Sequence, residues 1–157
     1  MANKIKIVKP DSNRQAVFGA GDEYYYYATG KDTDGQYFFF ESIVPPGGGP
    51  PAHVQTKEEE AFYILDGEVT FYAEGNITVA TKGTYLNVPK GVRHRFKNNS
   101  DQNARMLIFF APAGIEDMFE EMGANEENYS KHPNGLFYAL NEVGTQYGVQ
   151  FFEEDEK

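Results

Sequence analysis

The chain contains no cysteine, which excludes a disulfide framework, a thiolate-held metal, an iron–sulfur cluster and a cysteine nucleophile. Any metal must therefore sit on histidine, carboxylate or amide oxygen. Basic residues are scarce: 14 Lys and Arg stand against 24 Asp and Glu, a formal net charge of -10. A field of that sign repels phosphate backbones and anionic headgroups, so neither nucleic acid nor a membrane is an expected partner. No apolar run approaches the roughly 18 residues of a membrane span. The N-terminal Met1-Ala2-Asn3-Lys4-Ile5-Lys6-Ile7-Val8-Lys9 also lacks the apolar stretch of a secretory signal. A cytoplasmic protein is the expectation. Its 157 residues suit one domain and are too few for two ordinary ones.

What the chain has in abundance is aromatic and turn-forming residues: 13 Phe, 11 Tyr, 16 Gly and 8 Pro. Aromatic and β-branched runs favour strands, and Gly and Pro punctuate them. Such runs occur at Glu23–Thr29, Gln36–Val44, Ala61–Leu65, Val69–Ala73, Ile77–Ala80, Tyr85–Val88, Arg93–Lys97 and Arg105–Ala111. Turn signals lie between them, among them Asp34-Gly35, Asp66-Gly67, Lys90-Gly91 and the run from Pro45 to Pro51. Short strands at this spacing predict an all-β sandwich or small barrel.

Strand alternation assigns faces. In Arg93-His94-Arg95-Phe96-Lys97 the cations share one face, so His94 and Phe96 point inward. Glu60, Phe62 and Ile64 share a face, but Tyr63 and Leu65 make the other apolar too, and the pattern does not choose between them. Tyr24 to Tyr27 place rings on both faces, as a strand covered on both sides or at a subunit interface would. After Ala111 the period changes. Ile115, Met118, Phe119 and Met122 make a helical stripe with Gly123 as a stop, and Leu136, Leu140, Val143 and Tyr147 mark a second helix over about Asn134 to Tyr147. These stripes read as packing against the barrel. Val149–Phe152 reads as a last strand and Glu153–Lys157 as a frayed charged tail. His132, in a polar stretch, reads as a surface residue.

Two constellations carry the chemistry. Gly47, His53, Gln55, Glu60 and Gly67 stand at spacings that fit G-x5-H-x-H-x4-E-x6-G at every position but one; Gly83, Pro89, Gly91, His94 and Asn98 fit G-x5-P-x-G-x2-H-x3-N throughout. Five fixed residues recur by chance on the order of once in 10⁶ to 10⁷ positions. The chain therefore resembles the cupin superfamily, and over about residues 20 to 150 it is similar to single-domain cupins related to bacterial quercetin dioxygenases. The resemblance implies a cupin double-stranded β-helix, a jelly-roll barrel, over about 20–112, with one or two short C-terminal helices over about 113–157, in a single domain 1–157. It also implies one divalent transition-metal ion (iron, nickel, manganese, cobalt, copper or zinc) held by His53, Gln55, Glu60 and His94.

The departure from the motif is Gln55, where cupins have a second histidine. It is open whether its amide oxygen is a ligand, whether it supports the ligands by a hydrogen bond, or whether the site holds no metal. His53, Glu60 and His94 alone have the composition of the facial triad that leaves positions for substrate and dioxygen. Of the run Glu58-Glu59-Glu60, the spacing to Gly67 selects Glu60; Glu59 falls on the opposite face and Glu58 is expected nearer the rim. The resemblance makes Glu60 also the base that takes a substrate proton. Phe62, Phe96, Tyr85 and Met106 are the expected substrate pocket. The resulting expectation is a metal-dependent dioxygenase acting on an aromatic or enolic small molecule, as a homodimer. A small-molecule-binding cupin without catalysis and a metal-dependent isomerase are the alternatives.

Overall fold

The computed structural model describes residues 4–19, 21–129 and 131–153. The residues expected to form the charged tail lie outside these, apart from Glu153. Among the described residues, eleven strands form two antiparallel sheets. The strands are β1 (Ala16–Gly19), β2 (Asp22–Ala28), β3 (Phe38–Val44), β4 (His53–Gln55), β5 (Glu59–Asp66), β6 (Glu68–Ala73), β7 (Asn76–Thr81), β8 (Tyr85–Val88), β9 (His94–Lys97), β10 (Ala104–Ala111) and β11 (Val149–Phe151). One sheet runs β1-β2-β3-β10-β5-β8 and the other β11-β4-β9-β6-β7. The helices are α1 (Gly30–Thr33), α2 (Glu116–Tyr129) and α3 (Leu136–Gly144). None of them is long and apolar enough to cross a membrane.

The core lies between the sheets and follows the alternation. On β3, Phe38, Phe40, Ser42 and Val44 are buried; on β10, Ala104, Met106, Ile108 and Phe110; on β5, Glu60, Phe62 and Ile64. The register brings these into cross-strand rows, with Phe110 opposite both Phe38 and Glu60, and Ile108 opposite both Phe40 and Phe62. Cross-strand pairing of this kind settles what the β5 sequence leaves open: the face with Glu60 is the inner one, and Tyr63 is exposed. The tyrosines of β2 divide in the same way. Tyr26 is buried, with its ring 4.7 Å from that of Phe38, while Tyr25 and Tyr27 lie on the outer face. There Arg14 covers both rings and joins Arg105 on the buried carboxylate of Glu41.

The C-terminal segment departs from its sequence reading in one respect. Gly123 does not stop the first helix, which continues to Tyr129. The reason is packing: a Cβ at Gly123 would stand 2.9 Å from Val17 Cγ1, so the glycine lets α2 close on β1. After α3 a short 3₁₀ turn (Thr145–Tyr147) leads to β11, which pairs with β4 and so returns the chain to the barrel. His132 is partly exposed and pairs with Glu142 on α3 at 3.3 Å.

Candidate metal centre and cavity

Backbone pairing between the two motif regions positions the donors. His53 on β4 lies directly opposite His94 on β9. The Gly47 N–H donates to the Asn98 carbonyl at 2.7 Å, the Asn98 N–H to the Gly48 carbonyl at 3.0 Å, and the Gly91 N–H to the Gln55 carbonyl at 2.7 Å. Asn98 is fully buried, and its amide donates to the carbonyls of Val44 and Gln102 while its oxygen accepts from Ser100. Its place in the motif is therefore structural. At Gly49 (φ +134°) a Cβ would fall 2.1 Å from the Phe96 carbonyl oxygen, so only glycine lets this loop approach β9. Glu60 reaches the same point from the opposite sheet.

His53, Glu60 and His94 are all buried and each offers one ligand atom within 4.8 Å of the other two. The Nδ1–H of His53 donates to the Pro51 carbonyl at 2.9 Å, and that of His94 to the Val92 carbonyl at 2.9 Å. A carbonyl oxygen can only accept, so both imidazoles carry hydrogen on Nδ1 and turn Nε2 to the shared centre. His94 Nε2 lies 3.0 Å from Glu60 Oε1. Burial opposes a charge on His94, but the hydrogen bond and charge of Glu60 outweigh it and raise its pKa. His53 is pushed down to about 3 by burial and by the charge of His94, whose ring centroid is 4.4 Å away. The two adjacent imidazoles are not both charged here: His94 pairs with the carboxylate, while His53 stays neutral and turns its Nε2 lone pair to the centre. Two imidazole nitrogens and a carboxylate oxygen, oriented from behind and buried together, fit a divalent transition-metal ion, which His53, Glu60 and His94 would hold.

Gln55 is buried beside them. Its amide nitrogen lies 3.3 Å from His53 Nε2 and donates to it; a half-turn of the amide would present the oxygen instead. Glu58 is not at the rim. It is 3% exposed, its Oε1 has no hydrogen-bond partner among the described residues, and burial pushes its carboxyl up to about 7. Glu59 is exposed, as alternation requires.

Beside the donors lies a cavity of about 410 Å³, lined by His53, Gln55, Glu60 and Phe96 at this end. Of the four residues expected to form the pocket, Phe96 lines it. Phe62 and Met106 point inward but sit in the packed core, where Phe62 meets the rings of Phe71 and Phe96. Tyr85 stands outside: it pairs with Tyr63 on the outer face and is 64% exposed, because Leu86 and Val88 take the inner positions of β8. The residues that do line the cavity include Tyr24, Phe40, Ile108 and Phe110 from the barrel, and Met118, Phe119, Met122 and Leu140 from α2 and α3. The helical stripes thus serve two purposes, since Phe119 also packs on Tyr24, Phe38, Phe40 and Phe110. Behind Tyr24, whose hydroxyl donates to Asp22 Oδ2 at 3.2 Å, the Asp22 carboxyl is 1% exposed and burial pushes it up to about 7.

Residues 33–110 match the family model described as the cupin domain. The chain is 33% identical over 86 residues to quercetin 2,3-dioxygenase of Aspergillus japonicus, covering 52% of this chain and 24% of that protein. It is 28% identical over 94 residues to quercetin 2,3-dioxygenase of Bacillus subtilis (strain 168), covering 60% and 26%. The chain thus spans about a quarter of the length of these relatives. Among solved structures it is similar to an RmlC-like cupin from Shewanella frigidimarina NCIMB 400, with a TM-score of 0.61 and 17% identity, covering 74% of this chain and 99% of that one.

Proposed function

Since this chain is a cupin that resembles quercetin dioxygenase-like proteins, we propose that it is a metal-dependent dioxygenase acting on an aromatic or enolic small molecule. The observation that carries the reading is the convergence of His53, Glu60 and His94 beside a cavity with an aromatic wall. A bound transition-metal ion supplies open positions for dioxygen and for a chelating substrate edge. The chain's own residues do the rest. Glu60 accepts the enol proton, as a carboxylate in hydrogen-bonding reach of the substrate edge. Phe96 and Phe110 pack against the substrate body, and the apolar wall keeps water from the reacting carbon. The test is consumption of enolic substrates by metal-loaded protein, with and without dioxygen. Turnover that stops under anaerobic conditions supports oxygenation; turnover that continues sinks it and favours an isomerase.

One observation favours a second reading, a binding cupin without catalysis: Gln55, buried beside His53, stands where the motif has histidine. Such a module binds its ligand with or without metal, and metal analysis of protein purified without added metal, alongside His94→Ala, weighs the two: about one equivalent lost in the variant favours catalysis, and none in either favours the binding module. The reading includes a homodimer, supported by the family resemblance and by the tyrosine-rich β2, whose Tyr25 and Tyr27 lie on the outer face of the larger sheet. Mass measurement in solution checks it.

A further inference from the structure

The cavity lining is largely apolar, with its polar groups concentrated at the donor end. His53, Gln55 and Glu60 gather at the donor end, while the walls beyond are Phe40, Ile108 and Phe110 on the barrel side and Met118, Met122 and Leu140 on the helical side. Three other polar side chains line it. The Tyr24 hydroxyl is already engaged with Asp22. Glu126 lies on the exposed face of α2. The Tyr129 hydroxyl alone is buried without a hydrogen-bond partner among the described residues.

The geometry points to a substrate whose chelating edge is its main polar part: a hydroxy-keto or enol-keto head on an apolar body, with at most one further oxygen, within reach of Tyr129. This rests on the chelating reading of the donor end and narrows it. A ring bearing several hydroxyls would bury them against phenylalanine, isoleucine, methionine and leucine side chains. Each hydroxyl left without a partner costs about 5- to 140-fold in affinity. One side of the body's wall comes from α2 and α3, outside the residues that match the cupin model, so these helices contribute to specificity in a way the barrel's donor end does not.

The experiment uses the full chain loaded with zinc, a redox-inert ion that allows binding without turnover, and reads affinity by calorimetry. Three probes share one hydroxy-keto edge: 3-hydroxyflavone has an apolar body, quercetin adds hydroxyls to both aromatic parts of that body, and maltol is little more than the head. The expected result is that 3-hydroxyflavone binds more than about 10-fold tighter than quercetin. Leu140→Trp, which fills the helical side, should weaken 3-hydroxyflavone about 10-fold and leave maltol unchanged, the latter also reporting a folded site. Quercetin binding as tightly as 3-hydroxyflavone overturns the inference, as does a Leu140→Trp variant that weakens both heads alike. Retention of zinc with no binding of any probe instead overturns the chelating reading on which it rests.

Discussion

The two walls of the cavity are built by different means. The donor wall is held by backbone: paired strands, the Gly47–Asn98 and Gly91–Gln55 hydrogen bonds, and a glycine that admits no side chain. The helical wall presents packed side chains, Met118, Phe119, Met122 and Leu140, with Phe119 stacked among rings of the barrel, while hydrogen bonds such as those of Asn141 with Phe151 tie the helices down outside the cavity. Backbone pairing fixes positions to fractions of an ångström, as metal ligation requires. Packing of flexible methionines tolerates change, as a specificity surface does.

The sharpest way to break the contrast is to remove a donor. His94→Ala should lower metal affinity more than about 100-fold, beyond the effect of losing a group that merely orients a ligand, and metal analysis of the purified protein checks it. If metal content is unchanged, the donor wall is not a donor wall. Next, Gly49→Ala should destabilise the fold by roughly 3 kcal/mol, since it adds both a steric clash with β9 and a strained φ. Urea denaturation measures this, and a loss under about 1 kcal/mol would show that the loop yields as readily as the helices.

Asp22→Asn sharpens the comparison through pH. The Asp22 carboxyl is raised from 3.8 to about 7 in the fold, so it favours folding fully below 3.8 and loses that contribution as pH rises through about 7. The amide keeps an acceptor for Tyr24 but has no charge to desolvate. The variant should therefore gain stability relative to the native chain on going from pH 4 to pH 8, by about 2 kcal/mol and at most about 4. Parallel melting curves at the two pH values would refute the assignment. The smallest effect belongs to the helical wall: Met122→Ala should cost about 1 kcal/mol, because this partly buried side chain faces an existing cavity. A cost as large as that of Gly49→Ala would erase the difference between the walls.

The donor wall was legible because its residues are tied to fixed spacings. His53, Glu60 and His94 followed from the motifs, and period-two alternation turned His94 and Phe96 inward. Alternation gave direction without depth: Phe62 and Met106 do face inward, yet pack in the core rather than line the cavity. Tyr85 illustrates a different failure, in which aromatic character outweighed the parity of Leu86 and Val88. Tyr24 was hidden because rings occupy both faces of β2, so only its register opposite Ser42 assigns it to the interior. The helical wall was half legible. Its stripes predicted packing, which holds apart from Leu136, an exposed residue at the start of α3, but a helical period does not distinguish a side chain against a neighbour from one beside empty space.

The strand that carries His53 has a timing problem. Its single register pair with β9 leaves most of its edge to β11, where Val149 and Phe151 meet Gln55 and His53 from about a hundred residues further along the chain. During synthesis, β4 therefore keeps one edge unpaired until both helices have left the ribosome. The sheet that bears both imidazoles is thus closed at that edge by the final strand among the described residues, not by the motif regions themselves.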